Sequence, residues 1–214
     1  VYIHPTIFNK EGKRMSKSLG TGVDPMDLIE KYGADAVRFG LAYINTGVQD
    51  LKFDEEAIKA GQKFANKIWN ISRFVITHLE ISKNKYQKIK LRITGQKLVA
   101  ITNADKEILD KLEQTEKSVA KDIENFRFGQ AAHSLYQFIW HDFADLYIEA
   151  SKAQLIDPKT KDLTCEILHV TLTTSLKLLH PFIPFVTEAV WQEMYTRKLV
   201  DERMLITATM ANIK

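Results

Sequence analysis

The chain has a single cysteine, Cys165, in 214 residues. No internal disulfide can form, and cysteine usage fits a reducing compartment such as the cytoplasm. No apolar run approaches the ~20 residues of a membrane helix, so neither a helical span nor a membrane partner is expected. The six histidines include no HExxH, and His133 and His141 stand eight apart, so no metal site is expected. No glycine-rich fingerprint follows a strand pattern, which sets aside an unrelated phosphate-binding enzyme. There is no repeat and no low-complexity stretch. The opening Val1-Tyr2-Ile3-His4-Pro5-Thr6-Ile7-Phe8 has the wrong flanks for a signal peptide, and a first residue other than Met reads as a piece cut from a longer chain.

What is present is apolar material and unevenly placed charge. At 45% hydrophobic and 27% charged residues, a chain of this length buries roughly 70% of its unfolded surface without staples. The formal charge is only +3, but two patches stand out. Lys10, Lys13, Arg14 and Lys17 face only Glu11 in the first, and Lys83, Lys85, Lys88, Lys90, Arg92 and Lys97 run without an acid in the second. The remainder is therefore acidic. The second patch reads either as a track for a nucleic-acid backbone or as a solvated linker.

Periodicity divides the chain into residues 1–50, 51–200 and 201–214. The first part holds most of the nine glycines and reads as a small mixed module. Val1 to Ile3 and Thr6 to Phe8 are strand-like, a turn lies at Asn9 to Gly12, and Asp24-Pro25 starts a helix that Gly33 stops. From Asp54 the period is helical, with Phe53 placed to staple Ile58. Helices are predicted at 55–79, 104–126, 129–151, 161–179 and 184–196. Gly61, Phe64, Ile68, Ile71, Val75 and Leu79 form the stripe of the first; Ile108, Leu112, Val119, Ile123 and Phe126 form that of the second, with supporting pairs Glu107–Lys111 and Glu113–Lys117. Trp140, Phe143, Tyr147, Trp191 and Met194 fall at core spacings, and Asp145, Glu149 and Lys152 read as a structural polar face. Residues 204–209 are strand-like. The fold class is mainly α: a small mixed α/β module followed by an all-α helix bundle.

One segment does not read as packing. In Gly12-Lys13-Arg14-Met15-Ser16-Lys17-Ser18-Leu19-Gly20, cations and hydroxyls crowd a glycine-bounded loop. Lys17 offers a point charge, Ser16 and Ser18 offer hydroxyls, and the glycines admit backbone N–H groups to phosphate oxygens. Charge developing on a departing pyrophosphate would be stabilised there. By residue chemistry alone, a solvated basic hairpin fits equally well.

The string Arg14-Met15-Ser16-Lys17-Ser18 resembles the KMSKS signature of class I aminoacyl-tRNA synthetases. Its continuation through Leu19-Gly20-Thr21-Gly22-Val23-Asp24-Pro25 and the block Lys31-Tyr32-Gly33-Ala34-Asp35-Ala36-Val37-Arg38 resemble the subgroup that handles branched aliphatic amino acids. Asn66-Lys67-Ile68-Trp69-Asn70 is similar to the start of that subgroup's anticodon-binding domain. Asp50-Leu51-Lys52-Phe53, Ser72-Arg73-Phe74-Val75, Asn125-Phe126-Arg127-Phe128, the run from Trp140 to Glu149 and Leu179-His180-Pro181-Phe182-Ile183-Pro184-Phe185 bring the likeness nearest to the valine-specific family. The isoleucine-specific family is the alternative, and a freestanding tRNA-binding module or scaffold with a vestigial loop is a further one.

The resemblance implies that residues 1–50 are the KMSKS-bearing end of a catalytic and stem-contact region, and that 51–200 are an anticodon-binding bundle. Lys17 would contact ATP phosphates as a catalytic residue, with Arg14 where the first signature lysine usually stands and Ser16 and Ser18 beside them. Arg14 exchanges a compact ammonium for a planar fork. Pro5 after His4 is a second departure, where relatives often have Gly. ATP is then a substrate, with Mg2+ expected from the family, and valine the amino acid. The HIGH signature, the nucleotide-binding sheet, the editing domain and any terminal coiled coil are not found here. His180-Pro181-Phe182-Ile183 is a bundle corner. The resemblance therefore implies a carboxy-terminal fragment that lacks half the adenylation site and has no activity alone.

RNA sequence is read mainly from unstacked loop bases that stack on aromatics and meet polar side chains. Lys67, Asn70, Arg73 and Phe74 fall at spacings that bring parts of the set to one helix face. Arg73, Lys67 and Asn70 are expected to bind the tRNA anticodon arm beside Phe74, which reads either as a stacking platform or as a core residue. Asn66 and Trp69 are assigned to packing at the domain junction.

Overall fold

The computed structural model describes residues 5–9, 11–16, 20–45, 47, 50–81 and 102–209. Lys17 and Ser18 of the loop, the expected strand at Val1 to Ile3 and the basic run from Lys83 to Lys97 lie outside the described residues.

Two short parallel strands, β1 (Ile7–Phe8) and β2 (Leu51–Lys52), pair Ile7 with Leu51 and Phe8 with Lys52. Between them run α1 (Pro25–Tyr32) and α2 (Ala34–Ile44). Asp24 caps α1 through the Met26 N–H at 2.8 Å, with Pro25 in the first helical turn where its missing N–H costs nothing. Gly33 has φ +89, a region closed to most side chains, so the chain can turn there from α1 directly into α2. Leu28, Tyr32, Ala36, Val37, Phe53 and Ile58 form a small core, with Ile7, Met15, Ile29 and Leu41 packed against it. Met15 of the signature thus anchors the loop in the module.

The bundle begins with α3 (Glu55–Ile81), capped by Asp54 through the Glu56 N–H at 3.0 Å. Its expected stripe is buried throughout, from Gly61 to Leu79. After it come α4 (Asn103–Glu124), α5 (Phe128–Gln137), a π-helical segment (Phe138–Tyr147), α6 (Ile148–Ile156), α7 (Lys161–Leu179) and α8 (Pro184–Thr196). The third predicted helix is therefore longer than expected and π-wound in its middle, a winding that periodicity does not announce. Phe143, Tyr147, Trp191 and Met194 are buried, while Trp140 is partly buried against the core. Tyr147 donates to the buried Asp105 carboxylate at 2.9 Å, and burial pushes its phenol far above the ordinary tyrosine range.

Three local expectations are corrected. Phe126 is not on the buried face: α4 stops before it, Phe126 takes φ +57, and its side chain is 55% exposed. The Arg127 N–H closes on the Asp122 carbonyl at 2.7 Å, a left-handed helix stop with Phe126 at the reversed position. Glu107 and Lys111 form no ion pair among the described residues; Lys111 lies 3.9 Å from Asp142, whereas Glu113 and Lys117 do pair at 2.5 Å. Residues 204–209 hold no strand, and Leu205–Thr207 is a 3-10 turn. The segment and the residues just before it are tied to α8 instead: the Trp191 indole donates to the Glu202 carbonyl at 2.9 Å, and the Leu205 N–H donates to Glu188 at 3.1 Å.

Candidate nucleic-acid interface

The signature loop is held at both ends. Asn9 and Gly12 close the preceding turn by Gly12 N–H to Asn9 carbonyl at 3.0 Å, and Phe8 bridges antiparallel to Arg14. The Ser16 N–H donates to the Thr21 hydroxyl at 3.1 Å, while the Thr21 N–H donates to the Ser16 carbonyl at 3.2 Å. Arg14 is exposed and Ser16 is half-buried, so the pinned ends leave the Arg14 guanidinium toward solvent. Arg14 is thereby presented from a fixed base.

The module is fastened to the bundle by its own helix. Asp35, only 8% exposed on α2, accepts the Phe185 and Val186 N–H groups at 3.0 and 2.6 Å. These are free donors of the first turn of α8, where the helix dipole favours a carboxylate. Arg38, one turn further, donates to the Pro181 carbonyl at 2.9 Å. The corner at His180 to Phe185 is thus a joint clamped by α2, in keeping with its reading as a bundle corner.

On α3 the expected RNA-reading residues split into two groups. Asn70, Arg73 and Phe74 line one depression of 280 Å³ with Thr77 and His78. Asn70 and Arg73 are exposed; the Arg73 carbonyl accepts from the Thr77 hydroxyl at 2.8 Å, while neither side chain makes a hydrogen bond or ion pair among the described residues. Phe74 is half-buried, packs on the main core and faces the His78 ring at 4.3 Å. It serves both alternatives: one part of the ring is core and the rest lines the depression.

Lys67 stands apart from that depression. It pairs with Asp145 at 2.9 Å and lies 5.1 Å from the centre of the Trp140 ring. The two ion-pair side chains are 31% and 45% exposed, so the pair is worth about 0–1 kcal/mol and a phosphate can compete for the lysine. His141 also approaches Asp145, at 3.5 Å, an i,i+4 acidic neighbour that the histidine spacing alone does not reveal. Glu149 and Lys152 pair at 2.7 Å on the surface.

Trp69 is a correction. It is 41% exposed instead of packed at a junction, and Asn66 is exposed as well. Trp69 lines a second cleft, of 360 Å³, between α3 and α8, with Arg73, Thr77, Glu80, Glu193 and Arg197 around a floor of Ser72, Ile76 and Val190. Arg197 donates to Glu80 at 2.5 Å and through Nε to Glu193 at 2.8 Å. Those contacts, Glu80 first, hold its guanidinium still further above its high ordinary pKa. The signal that would have found Trp69 is its phase: it lies off the stripe that runs through Phe64, Ile68, Ile71 and Val75.

The small module that carries the loop and the helix bundle clamped to it each match a known family. Residues 1–54 match the family described as tRNA synthetases class I (I, L, M and V), and residues 105–212 match the anticodon-binding domain of tRNA ligase. The chain belongs to the class I tRNA synthetases and carries their anticodon-binding domain. Within that class it is similar to valine–tRNA ligases. It is 47% identical to that of Bacillus cereus over 196 residues, 46% to that of Pseudothermotoga lettingae over 194 and 43% to that of Thermotoga maritima over 194. Each alignment covers 91% of this chain and 21% of the relative, so the chain spans about a fifth of the length of the relatives it matches. The fold also matches a ternary LeuRS–tRNA–LeuAMS complex from Agrobacterium radiobacter K84, with TM-score 0.70 and 20% identity over 95% of this chain and 23% of that one. Among the described residues no helix is long and apolar enough to cross a membrane.

Proposed function

We propose that the chain is the part of a cytoplasmic valine–tRNA ligase that supplies the signature loop for valyl-adenylate formation and reads the anticodon arm of valine tRNA. Arg14, Ser16, Lys17 and Ser18 meet the ATP phosphates, and the Lys17 ammonium stabilises charge on the departing pyrophosphate. Mg2+ is expected to accompany the ATP phosphates. ATP and valine are engaged only together with the remaining catalytic half, and the chain alone supports no valine-dependent exchange of pyrophosphate into ATP.

The observation that carries the RNA-reading role is the depression on α3, where the side chains of Asn70 and Arg73, unpaired among the described residues, flank the half-buried ring of Phe74. A base stacked on Phe74 would present its edge to Asn70 and Arg73, with Lys67 released from Asp145 to a phosphate. The test is binding of tRNAs with valine or isoleucine anticodons across a salt series. Phe74→Leu keeps its core contacts and loses the flat stacking face, so it should weaken valine-tRNA binding about tenfold without changing the fold. Unchanged affinity would sink the platform role, and equal affinity for both anticodons would sink the valine assignment.

A further inference from the structure

We infer that Thr21, outside the signature string, is a positioning residue for it: its hydroxyl fixes the main chain from Arg14 to Ser16, and with it the attitude in which these residues meet a polyphosphate. The inference rests on the phosphate-binding role proposed for the loop and adds to it a residue that touches no phosphate itself.

Three observations carry it. Ser16 and Thr21 bond reciprocally: the Thr21 hydroxyl accepts from the Ser16 N–H at 3.1 Å, and the Thr21 N–H donates to the Ser16 carbonyl at 3.2 Å. A hydroxyl also has one proton to give, and the Thr21 oxygen lies 3.4 Å from the Arg14 carbonyl and 3.5 Å from that of Ser16. One half-buried side chain therefore serves three main-chain groups of Arg14 and Ser16. Next, Gly20 takes φ +64 immediately before Thr21, a left-handed turn that glycine makes without strain. Finally, the segment is already fixed on its other side. The Asn9 N–H donates to the Lys13 carbonyl at 2.9 Å, the Lys13 N–H donates to the Asn9 side chain at 2.8 Å, and Phe8 bridges Arg14. Met15 packs on the module core. The turn after β1 holds the segment up to Arg14, and Thr21 holds it from Ser16.

A polyphosphate is gripped by several donors in a fixed relative placement, and every torsion still to be frozen on binding lowers the affinity. Thr21→Val keeps the shape of the side chain but removes the acceptor of the Ser16 N–H and the donor to the two carbonyls. Of these bonds it leaves only the one from the Thr21 N–H to the Ser16 carbonyl.

The experiment titrates the chain with inorganic tripolyphosphate and follows the Arg14 side-chain N–H resonance by NMR, so that binding elsewhere on the surface is not counted. Thr21→Val should weaken binding about fivefold, the net worth of one hydrogen bond, and speed amide exchange at Ser16. Thr21→Ser, which keeps the hydroxyl, should restore both. Lys17→Met probes the phosphate role alone and should weaken binding by itself. If Thr21→Val binds as tightly as the native chain while Lys17→Met is impaired, the positioning role is wrong and the phosphate role stands. If Thr21→Ser is as impaired as Thr21→Val, or if Thr21→Val is impaired with no change in exchange at Ser16, the hydroxyl does not act through the main chain and the inference is overturned. If the native chain gives no saturable shift, or neither Thr21→Val nor Lys17→Met weakens it, the phosphate role of the loop falls and the inference falls with it.

Discussion

Asp35 joins the two parts of the molecule, and removing its carboxylate tests that joint directly. The group is buried and accepts two N–H donors from the first turn of α8, at 3.0 and 2.6 Å. Loss of a helix cap costs about 0.5–2 kcal/mol, and a buried donor left without an acceptor costs about 1–3 kcal/mol. Phe185 is exposed, so water can reach part of this turn, and the upper sum does not apply. Asp35→Ala should cost about 2–3 kcal/mol, a drop in melting temperature of about 5–10 °C for a chain of this length. Asp35→Asn keeps one acceptor oxygen without the charge and should lose about half as much. Urea titration followed by circular dichroism, with the m-value checked for two-state behaviour, measures both. An Asp35→Ala chain within 0.5 kcal/mol of the native one would refute the joint, and so would an Asn variant as unstable as the Ala one.

Two further perturbations probe close approach and charge. Gly129→Ala should cost about 3 kcal/mol or more by urea titration, because a Cβ there would lie 1.8 Å from the Asn45 carbonyl oxygen and neither backbone can give way; a near-neutral variant would contradict the packing of α5 on the end of α2. Glu55 accepts from the Tyr32 phenol at 2.6 Å and from Lys31 at 2.9 Å, and these bonds, the phenol's first, lower its carboxyl to about 2. The folded-state value is depressed, so the stability it contributes is complete above the ordinary pH 4.5 and is lost as pH falls toward 2. Carboxyl titration by NMR should show the low midpoint, and Tyr32→Phe should raise it more than Lys31→Met; a midpoint in the ordinary range would count against the pair.

What could be read before the structure was what local periodicity and capping encode. The predicted spans 161–179 and 184–196 coincide with α7 and α8, because their apolar faces are continuous and Pro181 and Pro184 punctuate the turn. Asp24-Pro25 and Asp54 act as helix starts, since a cap needs only its own first turn. The partners of Asp35 and Arg38 could not be read. They lie about 150 residues away, and only the path of the chain brings them together. Phe126 was misread because the 3.6-residue phase continues through it, although the backbone has already reversed. Trp69 was misread for the opposite reason: its residue type suggests core, while its phase on α3 points outward. Of the candidate site, Asn70, Arg73 and Phe74 converge as their spacing allows, and Lys67, on the same helix, is drawn aside by Asp145 from another one.

The same few helices set the position of the loop and of the reading face. Ile58 of α3 is in the module core and Arg73 is at the reading face; at 1.5 Å per residue the intervening helix separates them by about 22 Å. An α-helix does not change that distance without a kink, and α3 contains no proline. Asp35 adds a second tie, from α2 to α8, which forms the far wall of the Trp69 cleft. Met15 and the Ser16–Thr21 hydrogen bonds hold the loop's ends on that frame. Cutting the α2–α8 tie should therefore move the far wall of the Trp69 cleft, formed by Glu193 and Arg197, while the Phe74 depression, built on α3 alone, keeps its shape. In Asp35→Ala chains that remain folded, amide hydrogen exchange should rise in the turn of α8 around Glu193 and stay unchanged along the Phe74 face of α3.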